Sequence, residues 1–207
     1  MIHVVTAANR AAYANELDAM FADRKRIFVD RLGWDVPVID GRYERDAFDT
    51  DAAIYLLDLA RDTRVLRGST RLLPTTGAHL LADLFPQLCE RAVPTGEDVW
   101  EISRLCTAPE LNRELHRRTL GAMRIALVEF GLLYGINRYT SISNVSFLSD
   151  VLAAGWECEP LGLPREIGGD MVGAIEIRIT PATLQLFRQR AGLKAPLLEV
   201  IPASVAA

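Results

Sequence analysis

The order of hydrophobic patterns in this 207-residue chain predicts an α/β fold, a three-layer sandwich around a central mixed sheet. Three observations lead there. Strand-like runs alternate with helix-like periods along the whole sequence. Half of the residues are hydrophobic and 24% are charged, enough for a sizeable core and too apolar for a disordered chain. At about 150 residues per domain the length suits one unit, and no repeat, low-complexity tract or Ser/Gly-rich linker divides it. A single domain over residues 1–207 is expected.

The elements follow in order. Ile2 to Thr6 reads as a short strand, after which Asn9 is placed to cap a helix through Tyr13, Leu17, Met20 and Phe21 towards Phe28, ended by Gly33. Trp34 to Asp51 is irregular and acid-rich. Ala53 to Ala60, Val65 to Leu73 and Val99 to Cys106 read as three strands at the middle of the sheet. Thr107-Ala-Pro-Glu110 has the S/T-x-x-E capping form and opens a helical pattern running to Gly135. Asn137 to Ser143 is a strand, and Asn144 to Ala154 a helix closed by Gly155. Met171 to Thr180 alternates Ile175, Ile177 and Ile179 against Glu176 and Arg178, and a last helix starts with Pro181 in its first turn.

Composition excludes several classes of function. A net charge of −4 provides no global field to draw the protein to nucleic acid or anionic lipid, so any anionic partner needs a local basic patch. Cys89, Cys106 and Cys158 are odd in number and far apart, which fits neither a disulfide framework nor a paired-cysteine metal site, and a reducing cytoplasm is the expected compartment. MIHVVTAANR has no basic n-region followed by an apolar stretch and no run of about 18 apolar residues occurs, so neither a secretion signal nor a membrane span is expected. His3, His79 and His116 have no ligand spacing, so no metal is assigned. The absence of a G-x-S-x-G elbow, a G-x-G-x-x-G loop and a P-loop argues against a serine hydrolase, a nicotinamide enzyme and an ordinary kinase.

Two charged clusters stand out. Glu44, Asp46, Asp49 and Asp51 form either a solvated acidic loop or one side of a site whose cations are Arg24, Arg26, Arg71 and Arg104. On the second reading Arg71 pins a substrate carboxylate with two hydrogen bonds, while Asp46 and Asp49 receive an ammonium or sulfonium group. In the strand Val99-Trp-Glu-Ile-Ser-Arg-Leu-Cys106, Glu101 is either a general base or half of a structural ion pair. Alternation sends Glu101 and Ser103 to one face and Arg104 to the other, so a shared site requires a bulge between them. Phe28, Trp34 and Phe85 are the nearest aromatics in sequence, as core or as a wall for a cation or an adenine.

A third feature is basic. Arg113, His116, Arg117, Arg118 and Arg124 crowd one helical segment, either a solvated face or a dock for a phosphopantetheine carrier. Within it, Arg118-Thr-Leu-Gly121-Ala-Met123 partly matches R-x-x-G-x-G/A, the pyrophosphate loop of the acetyltransferases, but Met123 fails the last position.

Taken in order, Arg24, Phe28, Trp34, Glu44-x-Asp46-x-x-Asp49, Gly68-Ser-Thr-Arg71-Leu-Leu-Pro-Thr75, Leu84-Phe-Pro86 and Trp100-Glu-Ile-Ser-Arg104 closely resemble the acyl-homoserine lactone synthases, the LuxI-type autoinducer synthases. The resemblance is strongest over the first half and continues loosely through Arg138-Tyr-Thr-Ser and Ala154-Gly-Trp156. It implies an acetyltransferase-like (GNAT-like) fold and transfer of an acyl group from a thioester to the amine of S-adenosylmethionine, followed by lactonisation that releases methylthioadenosine. S-adenosylmethionine is then a consumed substrate, with no cofactor and no metal. The acyl donor is an acyl carrier protein, as for most relatives, or alternatively acyl-coenzyme A.

By the same resemblance Glu101, Arg104 and Asp46 are the catalytic candidates. Arg24, Phe28, Trp34, Asp46, Asp49, Arg71, Phe85 and Arg104 would hold S-adenosylmethionine. Ser103, Met123, Leu127, Thr140, Ile142 and Leu148 would line the acyl pocket, with Thr140 either bonding a 3-substituent or serving as an ordinary strand residue. Arg113, Arg117, Arg118 and Arg124 would dock the carrier. The competing functions are a general acetyl-coenzyme A-dependent N-acetyltransferase and a non-catalytic sensor on the same fold.

Overall fold

A computed structural model describes residues 1–199. Eleven strands run in chain order: β1 (Ile2–Val5), β2 (Val38–Ile39), β3 (Tyr43–Glu44), β4 (Ile54–Leu59), β5 (Leu66–Pro74), β6 (Val99–Thr107), β7 (Arg138–Asn144), β8 (Cys158–Pro160), β9 (Arg165–Ile167), β10 (Asp170–Arg178) and β11 (Leu198–Glu199). The helices are α1 (Ala14–Arg24), α2 (Leu80–Asp83), α3 (Arg113–Tyr134), α4 (Val145–Ala154) and α5 (Pro181–Ala191). Strands pair both parallel and antiparallel, so the sheet is mixed, and helices flank it. The chain forms two compact units: Met1–Arg71 with Arg104–Ala126 and residues 195–199, and Leu72–Ser103 with Leu127–Lys194. It crosses between them within β5, β6 and α3 and again between Lys194 and Ala195.

In the first unit β1 lies antiparallel to β4, from Ile2 opposite Asp58 to Val5 opposite Tyr55, and parallel to β11. Ile2, Val5, Leu56, Leu57 and Leu59 are buried here, and Leu17 and Met20 of α1 add to the core. Asn9 does not cap a long helix as expected. Its Oδ1 accepts from the Thr6 amide and its Nδ2 donates to the Val4 carbonyl, which pins a turn. A 3₁₀ turn over Arg10–Tyr13 then leads into α1, which passes directly into a π-helical segment over Lys25–Arg31. Gly33, at φ +70°, lets the chain reverse after it. The acid-rich segment is also more ordered than its composition suggests, because β2 and β3 form a hairpin turned by Asp40 and Gly41 at positive φ.

The capping box is not used. Thr107 is still strand, and the ladder runs on through the Ala108 amide, which donates to the Arg67 carbonyl. The Thr107 hydroxyl meets the His116 ring at 2.7 Å, and Glu110 pairs with Arg26. Asn112 takes over as cap by accepting from the Leu115 amide, so α3 starts at Arg113. Gly121 therefore lies eight residues inside a helix whose amides are already bonded, which removes the pyrophosphate-loop reading of residues 118–123.

In the second unit β6 runs parallel to β7 from Val99 opposite Arg138 to Ile102 opposite Ser141. β10 lies antiparallel to β7, β8 and β9. Short β8 and β9, absent from the sequence reading, supply further pairing to β10. The sequence pattern sets Glu176 on the face opposite Ile175 and Ile177. It is buried beside Ile175 and Ile177 because Arg138 neutralises it at 3.1 Å. The Tyr139 hydroxyl donates to the Leu127 carbonyl, and Gly131 has no side chain because a Cβ there would stand 3.0 Å from Ile179. Gly155 closes α4 at φ +91°, and the Thr180 hydroxyl caps α5 through the Thr183 amide, both as the sequence predicts.

Candidate active site

The acidic run and the distant arginines meet in the first unit as one closed network. Locally the acidic loop folds on itself: Asp46 accepts from the Phe48 amide, and Asp49 accepts from the Asp46 amide, each at 2.9 Å. Side chains rich in acceptors make such turns readily. Arg24 leaves the end of α1 and is fully buried. Its Nε donates to Glu44 at 2.5 Å, and its two terminal nitrogens make a two-pronged contact with Asp49, both at 2.9 Å. Arg71, also fully buried, reaches Asp46 at 2.5 and 3.0 Å and Asp49 at 2.9 Å. Arg104 closes the ring on Glu44 at 3.0 Å and on Asp46 at 2.8 Å.

Three guanidiniums thus face three carboxylates, and the charges cancel. Burial alone would raise the Asp49 carboxyl, but the hydrogen bonds and charge of Arg24, with the charge of Arg71, outweigh it and hold the group well below its ordinary range. Burial likewise opposes the charge on Arg24, and Asp49 and Glu44 more than restore it. Tyr55 donates its hydroxyl to Asp49 at 2.9 Å, and burial together with that carboxylate pushes its phenol up. The Arg104 and Asp46 side chains are 7% and 8% exposed whereas those of Glu44 and Asp49 are 0% exposed, so Arg104 and Asp46 are the network's approachable rim.

Beside that rim Phe28 and Trp34 stack with ring centroids 4.8 Å apart, and the Arg104 guanidinium lies 5.5 and 5.8 Å from the two rings. The π-helical segment sets this pair: it carries Phe28, and the Trp34 amide returns to donate to the Phe28 carbonyl. Such segments recur at functional positions in helices. Arg104 itself has φ +54°, a left-handed conformation in a non-glycine residue. The β6–β7 ladder stops at Ile102 and Ser141.

In the second unit Glu101 is 1% exposed, and its two oxygens accept from the amides of Leu80 and Leu81 at 2.9 and 2.7 Å. It caps α2. Phe85, expected with Phe28 and Trp34, packs with Ile142, Val172 and Leu161 around buried Leu81, Leu88 and Ala174. Thr140 is fully buried next to Glu101 in the ladder, and its hydroxyl has no hydrogen-bond partner. Leu148 presses on Gly173, where a Cβ would stand 3.0 Å from it. Met123 and Leu127 are buried, while Ser103 is half-buried one residue past the part of β6 that pairs with β7. Arg113, Arg117 and Arg118 are exposed on the first turns of α3, Arg118 3.9 Å from Glu114, and Arg124 is half-buried.

Of the network's members, Tyr55 had no role in the sequence reading, and Glu44 was named in the acidic cluster without being assigned a substrate or a catalytic step. Glu44 belongs to the quoted acidic run and its burial was the missing signal; Tyr55 sits in an ordinary strand pattern that gives no signal. Among the described residues no cluster of His, Cys, Asp and Glu is placed to hold a metal ion, no helix is long and apolar enough to cross a membrane, and the three cysteines are free.

The mixed sheet with flanking helices is an α/β architecture shared with solved N-acyltransferase structures. The match to a putative N-acetyltransferase from Lactobacillus plantarum, at a TM-score of 0.55 and 18% identity over 86% of this chain and 99% of that one, shows the fold alone. The family is narrower. The autoinducer synthase model matches residues 9–184. The acyl-homoserine-lactone synthase of Ralstonia nicotianae is 36% identical over 90% of this chain and 91% of its own. The isovaleryl-homoserine lactone synthase of Bradyrhizobium diazoefficiens is 32% identical over 93% and 86%. The solved structure of BjaI, a CoA-dependent acyl-homoserine lactone synthase with SAM and isopentyl-CoA, matches at a TM-score of 0.87 and 31% identity over 96% and 92%. The chain belongs to the autoinducer synthase family, and its activity class is that of an acyl-homoserine-lactone synthase.

Proposed function

We propose that the protein transfers an acyl group from an acyl thioester to the α-amine of S-adenosylmethionine and closes the product to an N-acyl-homoserine lactone. The observation that carries this reading is the neutral ring of three arginines and three carboxylates whose rim, Asp46 and Arg104, adjoins stacked Phe28 and Trp34. A zwitterionic amino-acid end suits such a rim, its ammonium towards Asp46 and its carboxylate towards Arg104, while the buried remainder of the ring fixes both groups. The aromatic pair offers faces to the sulfonium and the adenine.

The α-ammonium first gives a proton to Glu101, directly or through one water, a contribution of about 10²–10⁴-fold when well placed. The free amine attacks the thioester carbonyl, and the tetrahedral intermediate collapses with cleavage of the carbon–sulfur bond to release the carrier thiol. The carboxylate of the acylated intermediate then attacks its own γ-carbon and expels neutral methylthioadenosine. Both leaving groups depart without a cofactor, so S-adenosylmethionine is a consumed substrate, and dialysis against EDTA should leave the rate unchanged. We place the reaction in the cytoplasm, in keeping with three free thiols.

The donor favoured here is acyl-coenzyme A, because a CoA-dependent synthase matches this chain over 96% of its length. A carrier protein is the second reading, supported by the exposed Arg113, Arg117 and Arg118. Phe85, Thr140, Ile142 and Leu148 take the acyl chain. The deciding assay is mass spectrometry of reactions holding S-adenosylmethionine and matched acyl-CoA and acyl-carrier thioesters. Equal amounts of methylthioadenosine and acyl-homoserine lactone are expected; if neither forms with any thioester, the proposal fails. Loss of carrier-dependent but not CoA-dependent turnover on Arg117→Glu/Arg118→Glu would identify the carrier protein as donor.

A further inference from the structure

His79 immediately precedes α2, is 2% exposed, and has no part in the reaction described above. It lies in a segment of the second unit that is fixed to β6 at both ends. At one end the Thr75 amide and hydroxyl donate to the Val99 carbonyl at 3.3 and 2.6 Å. At the other the Leu80 and Leu81 amides hold the two oxygens of Glu101, two residues further along the same strand. Between these anchors Thr76, Gly77 and Ala78 are exposed, and Gly77 has no side chain to pack.

Two hydrogen bonds tie Gly77 down. Its amide donates to the Pro74 carbonyl at 3.2 Å, and its carbonyl oxygen lies 2.9 Å from Nδ1 of the His79 ring. A carbonyl only accepts, so Nδ1 carries the hydrogen and donates it. Burying an imidazole costs free energy unless its nitrogens are bonded, and Nε2 has no partner among the described residues. The bond at Nδ1 is therefore the polar contribution of this ring.

That bond acts on more than the turn. The amides that receive Glu101 belong to the next two residues, so they move with the His79 backbone. Glu101 is itself 1% exposed, which leaves its carboxylate little solvent to turn to when they shift. We propose that His79 is a positioning residue: by clamping the Gly77 carbonyl it holds the Leu80 and Leu81 amides, and through them aims the Glu101 carboxylate at the proton of the substrate amine. This rests on the reading of Glu101 as the base of the synthase reaction and extends it to the loop that holds the base.

The test is kcat, and KM for S-adenosylmethionine, of the full-length protein at saturating acyl thioester, with urea midpoints alongside, for wild type, His79→Leu, His79→Asn and His79→Gln. Asn carries an NH₂ at the position of Nδ1, whereas the NH₂ of Gln falls nearer to Nε2. His79→Leu should lower kcat about tenfold with KM unchanged, the scale of one net hydrogen bond. His79→Gln should behave like it, and His79→Asn should stay within about twofold of wild type. In the Glu101→Gln background, where the carboxylate to be aimed is gone, His79→Leu should change kcat by less than about twofold. If His79→Leu does not fold, the order of Asn above Gln carries the decision. Gln equal to or above Asn, a kcat for His79→Leu within about twofold of wild type, or the same loss repeated in the Glu101→Gln background overturns the inference and leaves Glu101 standing as base where Glu101→Gln alone cuts turnover. Unchanged turnover in Glu101→Gln overturns both, and no lactone from any thioester overturns the synthase reading with them.

Discussion

Removing Arg24 is the sharpest perturbation the first unit offers. Arg24→Met keeps most of the side-chain volume but deletes three hydrogen bonds, one to Glu44 and two to Asp49. Three carboxylates then face two guanidiniums, with one negative charge uncompensated where the Glu44 and Asp49 side chains are 0% exposed. Solvent does not screen such a site, and breaking one buried pair costs about 3–5 kcal/mol. The double variant Arg24→Met/Glu44→Gln restores neutrality. Its amide oxygen can keep accepting from Arg104 while the new NH₂ turns into the space the Arg24 Nε vacates, so a coupling of about 0.5–3 kcal/mol in favour of the pair is expected. Urea unfolding reads both, as a midpoint shift at constant slope. A loss below about 1 kcal/mol for Arg24→Met, or a double variant less stable than the single, would refute the claim that charge balance holds this cluster together.

Glu101→Gln should cut turnover by at least about tenfold with S-adenosylmethionine binding retained; because Gln has one acceptor for the two amides of Leu80 and Leu81, unfolding is measured alongside, and unchanged turnover removes Glu101 as base. Acid should destabilise the protein through Asp49: its carboxyl is depressed in the folded state, so its contribution is complete above the unfolded value of about 3.9 and is lost as pH falls below it. Asp49→Asn should flatten that acid limb, seen in unfolding midpoints collected from neutral pH downwards. Burial pushes the Cys106 thiol up to about 11, so at mildly alkaline pH a thiol reagent should label Cys89 and Cys158 in the native protein and Cys106 only in denaturant.

The strands and most helices were legible because their signals are local. The turns at Gly33, Gly155 and Pro181 and the period-two run of β10 fix themselves within a few residues. The expected helix start at Thr107 failed for a reason no window contains: the strand ladder to Arg67 continues through Ala108 and holds the capping residue extended. Asn9 failed in the same way, since carbonyl and amide groups of the preceding strand took its side chain first.

By itself the sequence determined the class of fold, the family and the set of acids and arginines from which a site is made, because these depend on residue type and order. Tertiary structure alone decided how the charges are used. Asp46 and Asp49 are already matched by Arg24 and Arg71, Glu44 joins them, Phe85 packs with the apolar cluster of the other unit, and Arg104 is left-handed within β6. Those outcomes turn on burial and on partners as much as 60 positions apart in sequence, as for Arg104 and Glu44. A carboxylate's chemistry is set by which cation it meets and how little water remains, and neither is written in its immediate neighbours.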